Sequence, residues 1–110
     1  MAKQATADVL AKLGRYSEPA LLILVSLAAG PKHGYAMTTD IQDVTGARLG
    51  PGTLYGALAR LEARGLVEAL PAEDRRRPYK ISAAGARALR ARLNSLAMLA
   101  RTGQRRLVRA

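Results

Sequence analysis

The segment from Gly50 to Gly65 constrains the fold more than any other part of this sequence. Its leucines recur at the spacing of one apolar helix face: Leu54, Leu58 and Leu61. Pro51 suits a first helical position, and Gly65 suits a stop that needs a positive φ. The pattern therefore predicts a helix whose leucines pack against a core.

The opposite face of this helix is made of small residues, namely Gly52, Gly56, Ala59 and Ala63. Small side chains allow a helix to come close to another surface, and the neighbouring Thr53 and Arg60 supply hydrogen-bond donors. A helix that enters the major groove of DNA needs this combination. An ordinary amphipathic helix with an alanine-rich solvent face fits the same pattern, so this segment alone leaves both interpretations open.

The residues after the helix favour the first interpretation. Residues 66–70 and 79–82 are plausible strands, with Tyr79 and Ile81 alternating with Lys80. The charged loop between them contains Arg75, Arg76 and Arg77. By themselves these arginines would indicate a solvated loop. A basic hairpin directly after the helix instead predicts a wing that contacts the minor groove or its phosphates, with Lys80 assisting from the strand.

Two helices are predicted before this segment. The first begins at Ser17, a potential N-cap, and is apolar almost all round between Leu21 and Leu27, which indicates burial on more than one side. After a connector over residues 32–35, the second runs from about Tyr35 to Thr45. Two helices joined by a short glycine-bearing link predict a helix-turn-helix. A shorter helix over residues 4–13 is expected ahead of them.

A long terminal helix is predicted from Ala83 to about Leu107, capped by Ser82. Its apolar positions form two seven-residue series: Ala86, Leu93, Ala100 and Leu107, and Leu89, Leu96 and Gly103. So small a domain cannot bury such a seam, so a dimer is the natural solution. Arg90 and Arg92 flank the seam without acids to pair with. This disfavours parallel self-pairing and favours antiparallel or splayed pairing, or packing against the N-terminal helix.

Composition restricts the chemistry. The chain has no cysteine and one histidine, which excludes thiol catalysis and cysteine-based metal sites, leaves no evident cofactor site, and makes an enzyme the poorest candidate. The net charge of +10 favours an anionic partner, nucleic acid first and a membrane surface second. The longest apolar run, residues 19–29, is too short to span a bilayer, and no signal peptide is evident. We therefore expect a cytoplasmic protein.

Three segments resemble the PadR family of transcriptional regulators: Leu27–Tyr35 with its His-Gly-Tyr, Leu49–Val67 with its Pro-Gly-Thr-Leu-Tyr, and Arg76–Gly85. The resemblance implies a winged helix-turn-helix repressor that binds DNA as a homodimer. It also implies that the terminal helix, usually with the N-terminal one, forms the dimer, and that a small molecule acts as effector. Gly56 stands where many members have proline. The chain has no Trp, which some members use to hold flat ligands.

The predicted fold is mainly α with a small β-hairpin, a winged helix-turn-helix with an N-terminal helix and a long C-terminal dimerisation helix. Its parts are an N-terminal dimer contact (1–16), a DNA-binding domain (17–82) and a dimerisation helix (83–110). The candidate DNA-binding residues are Tyr35, Gly52, Thr53, Tyr55, Gly56, Arg60, Arg75, Arg76, Arg77 and Lys80. The candidate dimer-interface residues are Leu10, Leu13, Leu22, Leu89, Leu93, Leu96 and Ala100.

Several of these residues carry two interpretations. Thr53 can hold a phosphate or reach a base edge, and Arg60 can bind a guanine or clamp a phosphate. Tyr35 and Tyr55 either direct a hydroxyl at a phosphate or serve only in packing. The function predicted from the sequence is a sequence-specific DNA-binding repressor acting on a pseudo-palindromic operator, released by a small-molecule effector. The alternative is a winged helix used for protein contact or for non-specific packing of nucleic acid.

Overall fold

The structure is a computed structural model, and it describes residues 9–110. Residues 9–11 are helical, and the rest of the helix predicted over residues 4–13 lies mostly outside the described residues. The elements follow in this order: a 3₁₀ turn Gly14–Tyr16, α1 Ser17–Ala28, β1 Lys32–His33, α2 Gly34–Thr45, α3 Pro51–Ala63, β2 Val67–Ala69, β3 Pro78–Ile81 and α4 Ala83–Arg109.

Helix α1 forms the centre of the core. It packs against α2, α3, β3 and the first half of α4. Its fully buried side chains meet those of the two helices that follow: Ala20, Ile23, Leu24 and Leu27 from α1, Met37 and Ile41 from α2, and Leu54, Leu58 and Leu61 from α3. Burial on several sides, predicted from its continuous apolar run, is therefore confirmed for α1. The leucine face predicted for α3 is confirmed as well.

The helix ends follow local chemistry with one exception. Gly46 and Gly65 adopt φ of +78° and +72°, the left-handed conformation predicted for a helix stop. The Ser82 hydroxyl caps α4 as predicted, since its Oγ accepts from the Gly85 N–H at 3.0 Å. The prediction that Ser17 caps α1 is wrong. The chain runs from the 3₁₀ turn straight into α1, so Ser17 is already helical and Tyr16 occupies the cap position.

The sheet contains one more strand than the predicted hairpin. Among the described residues, β3 lies between β2 and β1, and both pairings are antiparallel. The wing hairpin pairs Val67 with Ile81, whereas β1 pairs Lys32 with Tyr79. The segment at residues 32–35 is therefore more than the plain connector that the sequence predicts. A two-residue strand is too short to show any alternation of apolar and polar residues, so the sequence carries no signal for it.

Helix α4 leaves the domain after its third turn. Gly85, Ala88, Leu89 and Ala91 are buried, whereas every residue from Leu93 to Arg101 is exposed. A 27-residue helix is about 40 Å long, and it accounts for the 56 Å longest dimension of the chain. Within residues 9–110, no helix is both long and apolar enough to cross a bilayer.

Candidate nucleic-acid interface

The outward face of α3 is open, as the small residues predicted. Gly52, Thr53, Ala59 and Arg60 are exposed, while the leucines on the other side are buried. The helix begins with Gly50 as N-cap and Pro51 at its first position, and no side chain caps it. Its first turn also has no acidic residue. The N–H groups of this turn therefore remain available to an anion, which the positive end of the helix dipole attracts.

A groove of about 200 Å³ opens beside this N-terminus, between α2, the α2–α3 link and α3. Its polar lining comes from Tyr35, Thr38, Arg48 and Tyr55. Tyr35 is 75% exposed and Tyr55 is 52% exposed. Both tyrosines from the predicted site therefore lie at the surface, in reach of a partner, in the groove beside the helix start.

Gly34 allows Tyr55 to take this position. A Cβ at Gly34 would overlap the Tyr55 hydroxyl and would lie 3.2 Å from Leu54 Cδ2. The phenol therefore lies directly over the α2 backbone, with its ring held against the domain and its edge in solvent. The hydroxyl end packs against Gly34 while 52% of the residue stays exposed, and a contact of this tyrosine with a phosphate stays a prediction.

A second groove, of about 290 Å³, separates α3 from the wing. It is lined by His33, Gly34, Tyr35, Tyr55, Tyr79 and the three wing arginines Arg75, Arg76 and Arg77. Arg76 Nη1 lies 3.4 Å from His33 Nε2, and Arg77 Nη1 donates to the Leu70 carbonyl at 3.1 Å. The structure thus brings the predicted wing arginines together with the predicted tyrosines around one basic and aromatic cleft.

Tyr79 belongs to this cleft, although the sequence predicts only a strand position for it. Burial raises the pKa of Tyr79, the Glu62 carboxylate raises it further, and the Arg77 guanidinium opposes both effects. The phenol therefore stays protonated at neutral pH and can donate a hydrogen bond. Strand alternation predicts an inward side chain here, but nothing in the sequence indicates that β1 would place His33 and Tyr35 beside it.

Lys80 does not join the cleft. Its side chain is on the outer face of the hairpin, where Nζ lies 3.3 Å from Glu68 Oε2 on the paired strand. The partner carboxylate neutralises part of the charge that the sequence predicts to contact DNA. Neither groove beside α3 has a carboxylate in its lining, although Glu73 and Asp74 belong to the same loop as the wing arginines.

Arg60 takes a different conformation from an extended base-reading arginine. Its guanidinium stacks on the ring of Tyr16 at 3.9 Å from the centroid, and Nη1 donates to the Gly56 carbonyl at 2.9 Å. The Tyr16 ring in turn lies against Gly56, where a Cβ would be 2.9 Å from Cε1. Gly56 thus contacts an aromatic ring and is partly buried. Gly52 is exposed and has no such neighbour.

The model of the Transcriptional regulator PadR-like family matches residues 23–91, which span every element described around the two grooves. The chain belongs to the PadR-like family. Its members are transcriptional regulators, not enzymes, and the winged-helix architecture predicted from the sequence is confirmed by structures of this family.

The chain is also similar to individual proteins. The chain is 48% identical over 85 residues to an uncharacterized 37.1 kDa protein in transposon TN4556 of Streptomyces fradiae. That match covers 77% of the chain, which spans about a quarter of the relative's length. A transcriptional regulator from Clostridium thermocellum has a similar structure, with a TM-score of 0.70 at 26% identity, covering 78% of this chain and 89% of that one.

A PadR-like transcription factor from Bacteroides fragilis shares the fold at 21% identity, with a TM-score of 0.74. The superposition covers 86% of this PadR-like chain and 94% of the other chain.

The residues predicted at a dimer interface divide into two groups. Leu10, Leu13 and Leu89 are buried in the core of the single chain, and their contact with a partner stays a prediction. They are needed there because the core has no Phe or Trp to fill it. Leu22 is half-buried. Leu93 and Leu96 are 43% and 37% exposed, and Ala100 is exposed one turn further along α4.

Proposed function

We propose that this PadR-like chain is a sequence-specific DNA-binding repressor that acts on a pseudo-palindromic operator as a homodimer. The observation that carries the proposal is the juxtaposition of the open face of α3 with the cleft of the wing. Together they offer small residues, free helix N–H groups, four tyrosine or histidine side chains and three arginines, with no carboxylate in the groove linings.

In the proposed complex, each part of this surface contacts a different part of the duplex. Helix α3 enters the major groove, where Thr53 and the open backbone at Gly52 approach base edges and phosphates. Tyr35 and Tyr55 donate their hydroxyls to the backbone at the groove edge. Arg75, Arg76 and Arg77 of the wing follow the neighbouring minor groove and its phosphates. Lys80, paired with Glu68, contributes least.

The proposed dimer uses the part of α4 that the single chain leaves bare. Leu93, Leu96 and Ala100 continue the apolar face that begins with the buried Leu89. Pairing with a second copy removes these side chains from water, and it supplies apolar burial that a small aromatic-poor core lacks. A two-fold dimer then presents two copies of α3 to half-sites about 34 Å apart.

In this scheme residues 1–16 and 83–110 hold the dimer, and residues 17–82 bind DNA. Repression follows from occupying the operator. We extend the proposal to a small-molecule effector that changes the angle between the two winged domains. A groove of about 370 Å³ lined by Ile81, Leu89, Leu93 and Asn94 supports this extension, since it lies where α4 leaves the domain.

A gel-shift comparison tests the function. The full chain is titrated onto DNA from upstream of its own coding region and onto random duplex of equal length, at physiological salt. We expect tighter binding of the upstream DNA by a factor of about 10³ or more. Equal affinity for both would favour a protein that packs nucleic acid non-specifically. The exposed arginines of α4, a helix without acidic residues, support this alternative. No affinity for either would favour a protein-contact module.

A further inference from the structure

Two arginines from separate elements meet on one tyrosine ring. Tyr16 ends the 3₁₀ turn ahead of α1, and Arg60 lies in the third turn of α3. The Arg60 guanidinium carbon is 3.9 Å from the ring centroid, and that of Arg15 is 5.1 Å from it. Arg15 Nη2 also donates to the Tyr16 hydroxyl at 3.2 Å. A cation over an aromatic face is attracted by the ring, so Tyr16 holds both guanidinium groups in place.

The glycine at position 56 makes this arrangement possible. The Tyr16 ring occupies the space of a Cβ there, at 2.9 Å from Cε1 and 3.3 Å from the hydroxyl oxygen. Arg60 lies back along its own helix and donates to the Gly56 carbonyl at 2.9 Å. A guanidinium has five N–H donors, so most of those on Arg60 remain unused.

Among residues 9–110, neither of the two positive charges has a counterion. Between residues 9 and 110, the ion pairs within 4.0 Å are Lys32–Asp40 and Lys80–Glu68, so neither Arg15 nor Arg60 has a carboxylate partner. Like charges brought together repel, and this repulsion is relieved when an anion binds between them. Both guanidinium groups lie within 5.1 Å of one ring centroid and keep unused donors, and such donors bind phosphate oxygens.

We propose that Arg15, Tyr16 and Arg60 form a phosphate clamp that binds one backbone phosphate of the DNA. The clamp rests on the proposed function and adds a contact outside both grooves described above. The backbone of Arg60 lies about 13 Å along α3 from Pro51, given a rise of about 1.5 Å per residue, and its guanidinium lies back from there toward Gly56. A phosphate held there fixes how far the helix enters the groove.

The conformation of Arg60 favours one of its two interpretations. Bidentate recognition of guanine requires an extended side chain whose donors project from the helix into the groove. The guanidinium instead lies flat against Tyr16 with one donor turned to the helix backbone. Arg60 therefore contributes to affinity for every sequence and leaves the discrimination between sequences unchanged.

The test compares Arg15→Ala, Arg60→Ala and the double variant with a control, Arg87→Ala, an exposed arginine outside the cluster and both grooves. The probes are a duplex selected by the wild-type protein from a random pool and a shuffled version of it. Binding is measured over a series of salt concentrations.

The slope of log K against log salt is negative. We expect each single variant to reduce the magnitude of this slope by about 0.9 and to lower the affinity roughly fivefold at physiological salt. The loss is equal on both duplexes. The double variant loses no more slope than either single variant, because in the proposed clamp both arginines are needed to hold the one phosphate. Arg87→Ala leaves the slope unchanged.

Substitutions at and beside the Tyr16 ring test whether binding needs the stacked arrangement as well as the charge of the two arginines. Tyr16→Phe keeps the stacked face and retains most of the slope, whereas Tyr16→Ala and Gly56→Ala lower it although both arginines remain. Circular dichroism checks that each variant folds. Arg15 is exposed, so Arg15→Ala should keep the fold. Its salt slope tests the clamp even if the Tyr16, Gly56 and Arg60 variants do not fold.

The clamp is refuted if Arg60→Ala weakens binding to the selected duplex only, because Arg60 would then read a base while the proposed function stands. An unchanged slope in Arg15→Ala also refutes it. If the wild-type protein binds both duplexes equally but the slope losses persist, the proposed sequence-specific function fails and the clamp survives.

Discussion

Thr53 combines a side-chain hydroxyl with the free N–H groups of a helix start. It is exposed in the first turn of α3, and it is next to Gly52, which has open space around it. Helix dipole, N–H groups and hydroxyl all favour an anionic or electron-rich partner at this point. The residue therefore gives the most local test of where DNA approaches.

We predict that Thr53→Val weakens binding of the operator by about 0.5–1.5 kcal/mol, the contribution of one hydrogen bond. Thr39→Val is the matched control, since the Thr39 hydroxyl donates to the Tyr35 carbonyl within its own helix. Fluorescence anisotropy with labelled operator measures both. Equal effects of the two substitutions would contradict the placement of Thr53 at the interface.

Tyr79 makes the free energy of unfolding depend on pH in the alkaline range. Burial raises its folded-state pKa above 10.0, so the folded protein holds the phenolic proton more tightly than the unfolded chain does. The stabilisation from this shift is complete below the unfolded pKa of about 10 and is lost as pH rises through that value toward the folded pKa.

We predict that the free energy of unfolding falls more steeply above about pH 10 in the wild-type protein than in Tyr79→Phe, which cannot ionise at this position. Urea unfolding at a series of pH values measures the difference. Parallel curves for the two proteins would show that the cleft does not hold the phenol as described.

At the level of elements, the wing is the part whose charge should matter most. Arg75, Arg76 and Arg77 are all exposed and line the cleft beside α3. The hydrogen bond from Arg77 to Leu70 and the contact of Arg76 with His33 hold two of them close to the hairpin. The wing therefore holds the guanidinium groups of Arg76 and Arg77 in defined positions beside the hairpin.

Replacing the three wing arginines by alanine should weaken binding to all duplexes and lower the salt slope by up to about 0.9 for each phosphate that the wing no longer binds. Arg101, Arg105 and Arg106 of α4 provide a control with the same change in charge. The salt dependence of binding is measured for both triple variants. A larger effect in the α4 variant would favour non-specific packing of nucleic acid through the terminal helix.

Much of the element structure could be predicted because it follows from neighbouring residues. The leucine spacing predicts the buried face of α3, Gly65 predicts its end, and Ser82 predicts the start of α4. Ser17 is misleading because the preceding 3₁₀ turn, which the sequence does not indicate, already continues into the helix.

The features that the sequence does not reveal depend on residues far apart in the chain. Strand β1 exists because β3 passes beside it, 45 residues or more further along. The stacking of Arg60 on Tyr16 joins two elements at the surface, and no spacing rule relates them. The helix and the wing of the predicted site are therefore exposed surfaces as expected, but how each side chain is held there could not be predicted from local patterns.

For the whole molecule, the decisive feature is a domain with an amphipathic helix extending out of it. Beyond Leu93, the large apolar side chains of α4 face solvent, among them Leu96, Met98 and Leu99. An isolated helix of this kind is only marginally stable in water, so it gains most from a second copy. The proposed dimer and the proposed two-fold operator both depend on it.

We predict that Leu93→Glu combined with Leu96→Glu gives a monomer that retains its fold and loses most of its operator affinity, since a buried pair of carboxylates opposes association. Val108→Glu, also exposed but outside the two seven-residue series, should stay dimeric. Analytical ultracentrifugation measures the mass of each. A dimeric double variant would place the partner contact elsewhere on the chain.

The most direct measurement of sequence-specific, two-fold binding is the recovery of bound sequences from a random duplex pool by the full chain, followed by footprinting of the best sequence. We predict one two-fold symmetric motif, with protected half-sites whose centres are about 34 Å apart along the duplex. Recovery of unrelated sequences without symmetry, or of none above background, would contradict the proposed function.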